Sequence, residues 1–195
     1  LGFKISKIAW EGPEELLNDT INTQPALFVH SIAAWRVFNE FFPHFKPRFV
    51  AGHSLGEISA LVASNALSFE DGLKLVHTRG RLMRKAGQLR PGGMAAILGL
   101  DLSAVEQICT SASTENEVVQ VANDNCPEQV VISGSQDALE RAIYLAQQSG
   151  ARRVVKLNVS IAAHSPLMES IQEEFINFVE KTPFSNPQIP IIGNI

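Results

Sequence analysis

Apolar residues along this chain follow two periods, and the change between them divides it. Residues 49–51 are continuously apolar, and Ile58, Leu61, Val62 and Ala66 follow at helical spacing, which predicts a buried strand feeding a helix. Upstream, residues 14–18 predict a short helix, and Thr23-Gln24-Pro25 reads as the cap and first turn of a helix running to Phe38 or Phe41. Pro43 and Pro47 then punctuate the chain before the strand. Ser68-Phe69-Glu70-Asp71 predicts another cap, opening a helix to about Ala86, and residues 88–93 read as a linker. Beyond it the pattern predicts a strand over 94–100, a helix over 103–112, strands over 118–122 and 129–133, a helix over 138–148 and a strand over 153–157. That β-α-β-β-α-β order is the signature of a ferredoxin-like unit. The expected organisation is therefore a small subdomain, residues 91–158, inserted into a larger α/β layer made of residues 1–90 and 159–195.

The strand-to-helix junction carries the first chemistry. Gly52-His53-Ser54-Leu55-Gly56 is a G-x-S-x-G pentapeptide, and its position between strand and helix marks Ser54 as a nucleophile on a sharp turn. Gly52 and Gly56 carry no side chain to obstruct such a turn, and the Leu55 amide at the helix start is the natural donor to an oxyanion. A serine N-cap without chemistry is the competing reading. His53 is adjacent to the serine on an extended turn, where its ring points away.

A nucleophilic serine needs a base. Among five histidines, His164 is the best candidate, because it follows the small-residue stretch Ile161-Ala162-Ala163 and precedes the turn residue Pro166. His30, His44 and His77 fall on predicted helices or their ends, and no aspartate or glutamate stands out as a third member. Arg79 is the second informative residue. Leu75, Leu82, Met83 and Ala86 share its helix face, whereas Arg81, Arg84 and Lys85 lie on the other. A guanidinium on an apolar stripe must meet a carboxylate, snorkel to solvent or await an anionic ligand. A cleft shared with Ser54 would favour the last, since its planar fork matches a carboxylate.

Composition narrows the remaining classes. With 195 residues, 45% hydrophobic and 18% charged, the chain can bury a sizeable core as one large domain or one domain with a small insertion. No segment approaches the uninterrupted apolar length of a membrane span, and a net charge of -4 argues against a general nucleic-acid surface. Cys109 and Cys126 show neither metal-ligand spacing nor a disulfide framework, which suits a reducing cytoplasm, and no metal site is expected. The chain opens at Leu1 and closes on an apolar run, residues 189–195, that reads as a strand entering a sheet. Both ends are expected to be cut, which leaves an upstream targeting signal open.

Four linked segments resemble the malonyl-CoA:acyl carrier protein transacylases, within the acyltransferases of fatty acid and polyketide synthesis. They are Gly52-His53-Ser54-Leu55-Gly56-Glu57, Thr78-Arg79-Gly80-Arg81-Leu82-Met83, the run from Asn123-Asp124-Asn125-Cys126 to Ser133-Gly134, and Ala163-His164-Ser165-Pro166-Leu167-Met168. Thr23-Gln24-Pro25-Ala26 fits too, so the resemblance spans essentially the whole chain. It implies an α/β-hydrolase-like large subdomain with an inserted ferredoxin-like small one. By the same resemblance Ser54 is acylated, His164 acts as base and then acid, and Arg79 binds the free malonyl carboxylate. Met83 and Asn123 match positions near the acyl pocket. The implied reaction is ping-pong, from malonyl-CoA to the phosphopantetheine thiol of an acyl carrier protein, with coenzyme A thioester as substrate and no resident cofactor. Nucleic acid and membrane are not expected partners. Arg81, Arg84, Lys85 and Arg90, with Arg152, Arg153 and Lys156, are candidates for a basic patch facing an acidic carrier, against the plainer reading of a solvated charged face.

The strand turn that completes the family's oxyanion hole and the segment that orients its histidine would fall outside Leu1–Ile195, so this chain by itself is expected to be inactive or weak. One missing oxyanion donor alone costs about 2.7–4 kcal/mol. Ile161-Ala162-Ala163 matches neither common polyketide specificity pattern, and the run looks more like the stand-alone bacterial enzymes, which points to malonyl over methylmalonyl. A polyketide-synthase acyltransferase domain, a serine esterase or thioesterase, and a non-catalytic binding module are the alternatives.

Overall fold

Two short parallel strands, β1 (Val50–Ala51) and β6 (Ile191–Ile192), pair Val50 with Ile191 and Ala51 with Ile192, joining segments far apart in the sequence. The computed structural model describes residues 1–194; Ile195, the end of the expected C-terminal strand, lies outside the described residues. The chain is mixed α/β, and its contacts divide it into two units, one of Leu1–Leu82 with the chain from Glu174 on, the other of Met83–Glu173.

The first unit holds helices α1 (Ile5–Glu11), α2 (Glu14–Asn18), α3 (Thr20–Phe41) and α4 (Gly56–Ala63), the start of α5 (Phe69–Leu89) and most of α8 (Gln172–Glu180). Its core is Phe28, Ile32, Ile58, Leu67, Leu75 and Val76, with Phe175 and Phe178 packed against it. Phe28 is fully buried and stacks on Phe69 at 5.5 Å between ring centroids. Removing such a side chain from water contributes about 1.5–3 kcal/mol.

Helix α3 differs from its sequence reading. Asp19, not Thr23, is the cap, accepting the Ile21 N–H at 3.3 Å, and the helix begins at Thr20. Pro25 therefore lies inside the helix, where it removes one intrahelical donor. Thr23 instead turns its hydroxyl back to the carbonyls of Leu17 and Asp19. A carboxylate cap that satisfies an early N–H wins over a threonine already inside the first turn of the helix. Helix α1 was not predicted: Lys4 makes no side-chain cap and no residue of α1 is buried, so neither usual signal exists. Ser68 does cap α5, its Oγ accepting the Asp71 N–H at 3.0 Å, but the helix persists to Leu89.

In the second unit, β2 (Gly92–Leu98), α6 (Leu102–Ala112), β3 (Val119–Cys126), β4 (Gln129–Ser135), α7 (Gln136–Gln148) and β5 (Arg153–Lys156) follow in chain order. The sheet is antiparallel, with strand order β3-β4-β2-β5 and Met94 opposite Ser133 and Ala96 opposite Val155. Strand β2 starts earlier than predicted because Gly92 and Gly93 already pair with Ser135 and Gly134, which leaves little of the expected linker. Asp101 caps α6 by accepting the Ala104 N–H at 2.8 Å. Ala138, Leu139, Ala142 and Ala146 form the buried stripe of α7, packing with Val105, Ile108 and Ala112 of α6 onto Ile97, Val130 and Ile132.

The packing of α7 makes a direct prediction. Leu139→Ala should lower unfolding free energy by about 2–5 kcal/mol, whereas Tyr144→Ala, on the same helix at a position 61% exposed, should change it by no more than about 0.5 kcal/mol. Urea titration followed by circular dichroism reads both.

Candidate active site

The turn after β1 is shaped by one close approach. A Cβ built at Gly52 would lie 1.9 Å from the carbonyl carbon and oxygen of Gly56, so only glycine lets the incoming strand pass the first turn of α4. The second glycine of the pentapeptide is different. Nothing stands within 4 Å of a Cβ at Gly56, which corrects the expectation that both glycines are sterically required. Ser54 itself takes φ 54°, a left-handed conformation that costs a non-glycine residue about 1–3 kcal/mol and persists only where the surroundings hold it.

Those surroundings include Asn194. Its Oδ1 accepts the Ser54 N–H at 3.2 Å, while its Nδ2 donates to the Gly52 carbonyl at 2.9 Å and to Glu57 Oε2 at 2.8 Å. Leu55 stands at the N-cap of α4, and among the described residues nothing accepts its N–H, the donor that the sequence assigns to an oxyanion. His53 is exposed.

Arg79 reaches the same turn. Its Nη2 donates to Ser54 Oγ at 2.9 Å and its Nη1 to Gln24 Oε1 at 2.7 Å. Gln24 is buried, 4% exposed, and its Nε2 donates to Thr20 Oγ1 at 2.9 Å, which sets the amide's orientation toward the arginine. Gly80 allows this meeting: a Cβ there would lie 2.7 Å from the Thr20 carbonyl oxygen, so α5 closes onto the first turn of α3. Among the described residues no carboxylate stands within 4 Å of the guanidinium. Burial pulls its pKa below the ordinary arginine value, and the more distant Glu57 charge opposes that shift.

The other predicted residues belong to the second unit. His164 is exposed at φ 58° between buried Ala163 and Ser165, and its carbonyl accepts Gln120 Nε2 at 2.9 Å. Ser165 caps the following 3₁₀ turn, Pro166–Ile171, accepting the Leu167 N–H at 3.3 Å. Asn123 lies beside a β-bulge. Val121 pairs with Ile132, yet Asn123 pairs with Val131, so the strand gains a residue on its partner between them. Without that slip Asn123 would share the helix-packed face of Ile132; with it, Asn123 joins Gln120 on the face of Val131 and Ser133. Met83 is buried on α5 at 7% exposure.

The profile of the acyl transferase domain matches residues 1–195. The chain belongs to this family. It is similar to malonyl CoA-acyl carrier protein transacylases of Haemophilus influenzae, at 44% identity, and Staphylococcus aureus, at 40%, each over all of this chain and 62% of the relative. Among solved structures, the malonyl CoA-acyl carrier protein transacylase of Coxiella burnetii superposes with a TM-score of 0.94 at 38% identity, covering 99% of this chain and 60% of that one. A malonyl-transacylase in complex with its type II polyketide acyl-carrier protein superposes at 0.93 and 38% identity, covering 100% and 62%. The chain thus spans about 62% of the length of the curated relatives it matches.

Three residues at the Ser54 turn and beside Arg79 receive no role from the sequence alone: Gln24, Glu57 and Asn194. Only Gln24 has a local signal, as the polar residue on a helix face whose other buried residues, Pro25, Phe28 and Ile32, are apolar. No group of three or more His, Cys, Asp or Glu side chains suited to a metal occurs among the described residues. Cys109 is buried, which with Glu106 nearby pushes its thiol up to about 12, and Cys126 is exposed. A cavity of about 730 Å³ lined by Trp35, Arg36, Phe45, Lys46 and Phe69 shares no residue with the turn.

The unequal glycines can be tested by melting temperature. Gly52→Ala should collapse cooperative unfolding or lower stability by about 3 kcal/mol or more. Gly56→Ala, with open space and a better helix former, should be neutral or gain up to about 1 kcal/mol.

Proposed function

We propose that the protein transfers a malonyl group from malonyl-CoA to the phosphopantetheine thiol of an acyl carrier protein, supplying extender units for fatty acid synthesis. The observation that carries this reading is Arg79 Nη2 at 2.9 Å from Ser54 Oγ, with only neutral partners on the guanidinium. A malonyl ester on Oγ ends in a carboxylate two carbons from the ester carbonyl, so a guanidinium beside the nucleophile suits a short diacid. Acetyl would leave the guanidinium without an anion, which is where discrimination arises. A hydrolase of neutral esters has no use for that charge. The close relatives' names agree with the transacylase reading.

In the first half-reaction Ser54 Oγ attacks the thioester carbonyl and gives its proton to His164, and the tetrahedral oxyanion collects on N–H donors that include Leu55. Collapse breaks the C–S bond, and coenzyme A leaves with the proton from His164. In the second, the carrier thiol loses its proton to His164 and attacks the malonyl-serine, and Ser54 Oγ recovers the proton as it departs. No resident cofactor enters these steps. Met83 and Asn123 line the acyl pocket in this reading. The segments 1–90 and 159–195 form an α/β-hydrolase-like catalytic subdomain, and 91–158 a ferredoxin-like one, a reading supported by the strand order β3-β4-β2-β5 with two helices. No helix among the described residues is long and apolar enough to cross a membrane, and two free thiols suit the cytoplasm.

Intact-protein mass spectrometry of the whole protein after incubation with malonyl-CoA or acetyl-CoA tests this. The malonyl adduct should dominate, vanish in Ser54→Ala, and lose its preference over acetyl in Arg79→Ala by about tenfold or more. A folded protein with no adduct and no thioester consumption rejects the reading.

Carrier docking yields a separate prediction. Arg84 and Lys85 are exposed on α5, and charge reversal at both should raise KM for carrier protein while acylation by malonyl-CoA persists. Unchanged carrier kinetics rejects the patch.

A further inference from the structure

The mechanism above leaves Glu57 and Asn194 without a role, although they make the densest set of hydrogen bonds at the nucleophile turn. Asn194 Nδ2 spends one donor on the Gly52 carbonyl, just before the turn, and the other on Glu57 Oε2, just after it. Its Oδ1 is thereby aimed at the Ser54 N–H. A side-chain amide is planar, so fixing both donors fixes the acceptor direction. The Glu57 N–H in turn donates to the Ser54 carbonyl at 3.2 Å, so backbone and side chain of Glu57 grip the nucleophile from the same residue. Glu57 also lies in the first turn of α4, at the positive end of the helix dipole. Gly193 permits the approach, since a Cβ there would already stand 3.2 Å from Glu57 Oε1.

We propose that Glu57 and Asn194 are positioning residues that act as one clasp, holding Ser54 in its left-handed conformation so that Oγ stays on Arg79 and the Leu55 N–H stays aimed at the oxyanion. This rests on reading Ser54 as the acylated nucleophile. The clasp acts through a hydrogen bond rather than through charge, so glutamine at 57 preserves it. Loss of the Glu57 charge also leaves Arg79 more strongly electropositive, in keeping with the opposing effect of Glu57 on that guanidinium.

The test is the pre-steady-state rate of Ser54 malonylation in the whole protein, with melting temperature recorded for each variant. Glu57→Ala and Asn194→Ala should each slow acylation about tenfold or more while KM for malonyl-CoA moves less than about threefold. The double variant should be no slower than the slower single one, because both break the same clasp. Glu57→Gln should recover most of the rate and lower KM for malonyl-CoA. Wild-type rates in folded Asn194→Ala, additive losses in the double variant, or Glu57→Gln as slow as Glu57→Ala would each overturn the clasp. Should Glu57→Ala not fold, Glu57→Gln and Asn194→Ala decide between these outcomes. If the wild type takes no malonyl group, the transacylase reading fails separately. The clasp is then read from the rate at which a sulfonyl fluoride labels Ser54, expected to fall in Asn194→Ala and to persist in Glu57→Gln.

Discussion

The passage of Gly52 against the first turn of α4 is the constraint on which the Ser54 turn depends. Because the strand can come that close, the chain must reverse within Gly52-His53-Ser54-Leu55, and Ser54 is forced to positive φ. The reversal places the serine hydroxyl and the start of α4 side by side, which is the arrangement an acyl-enzyme needs: a nucleophile with N–H donors and a partial positive charge next to it. The strain at Ser54 is local and modest, about 1–3 kcal/mol, and hydrogen bonds on both sides of the serine offset it.

A second tension sits beside the first. Arg79 is drawn into a partly buried position by its place on the apolar face of α5, yet among the described residues its hydrogen-bond partners are a glutamine oxygen and a serine hydroxyl. Neutral acceptors orient a guanidinium without cancelling its charge. Burial is the largest cause of the lowered arginine pKa, because desolvation disfavours the charged guanidinium.

The parts of this fold set by neighbouring residues could be read from the chain, and the parts set by distant ones could not. Helices α6 and α7 and the strands around them follow from apolar spacing, because local pattern and burial agree there, with most ends displaced by a residue or two and β3 running four residues past its expected end to Cys126. The turn at Ser54 was legible for the same reason. Asn194 was not, since it meets Gly52 and Glu57 across 142 and 137 residues and nothing near it in sequence announces the contact. The bulge at Val121 and Asn123 was equally hidden: alternation along β3 alone puts Asn123 on the wrong face, and only pairing with β4 reveals the extra residue. Pro25 misled for a physical reason, because a proline usually marks a helix's first turn, whereas here Asp19 supplies a stronger cap upstream.

Gln24 shows how specificity can reside in a group that carries no charge. A glutamate at this position would pair with Arg79 as a half-buried ion pair, compensating the guanidinium before any substrate arrived. The carboxylate of an incoming acyl group would then have to displace a tethered competitor at high effective concentration. A leucine would err in the other direction, leaving Nη1 without an acceptor and the guanidinium free to swing. The amide avoids both outcomes. It accepts from Arg79 through Oε1, is itself held by Thr20 through Nε2, and adds no negative charge. The guanidinium is thus pre-aimed at Ser54 yet still short of an anion, and under the proposed transacylase reading a short diacid on the serine would supply it.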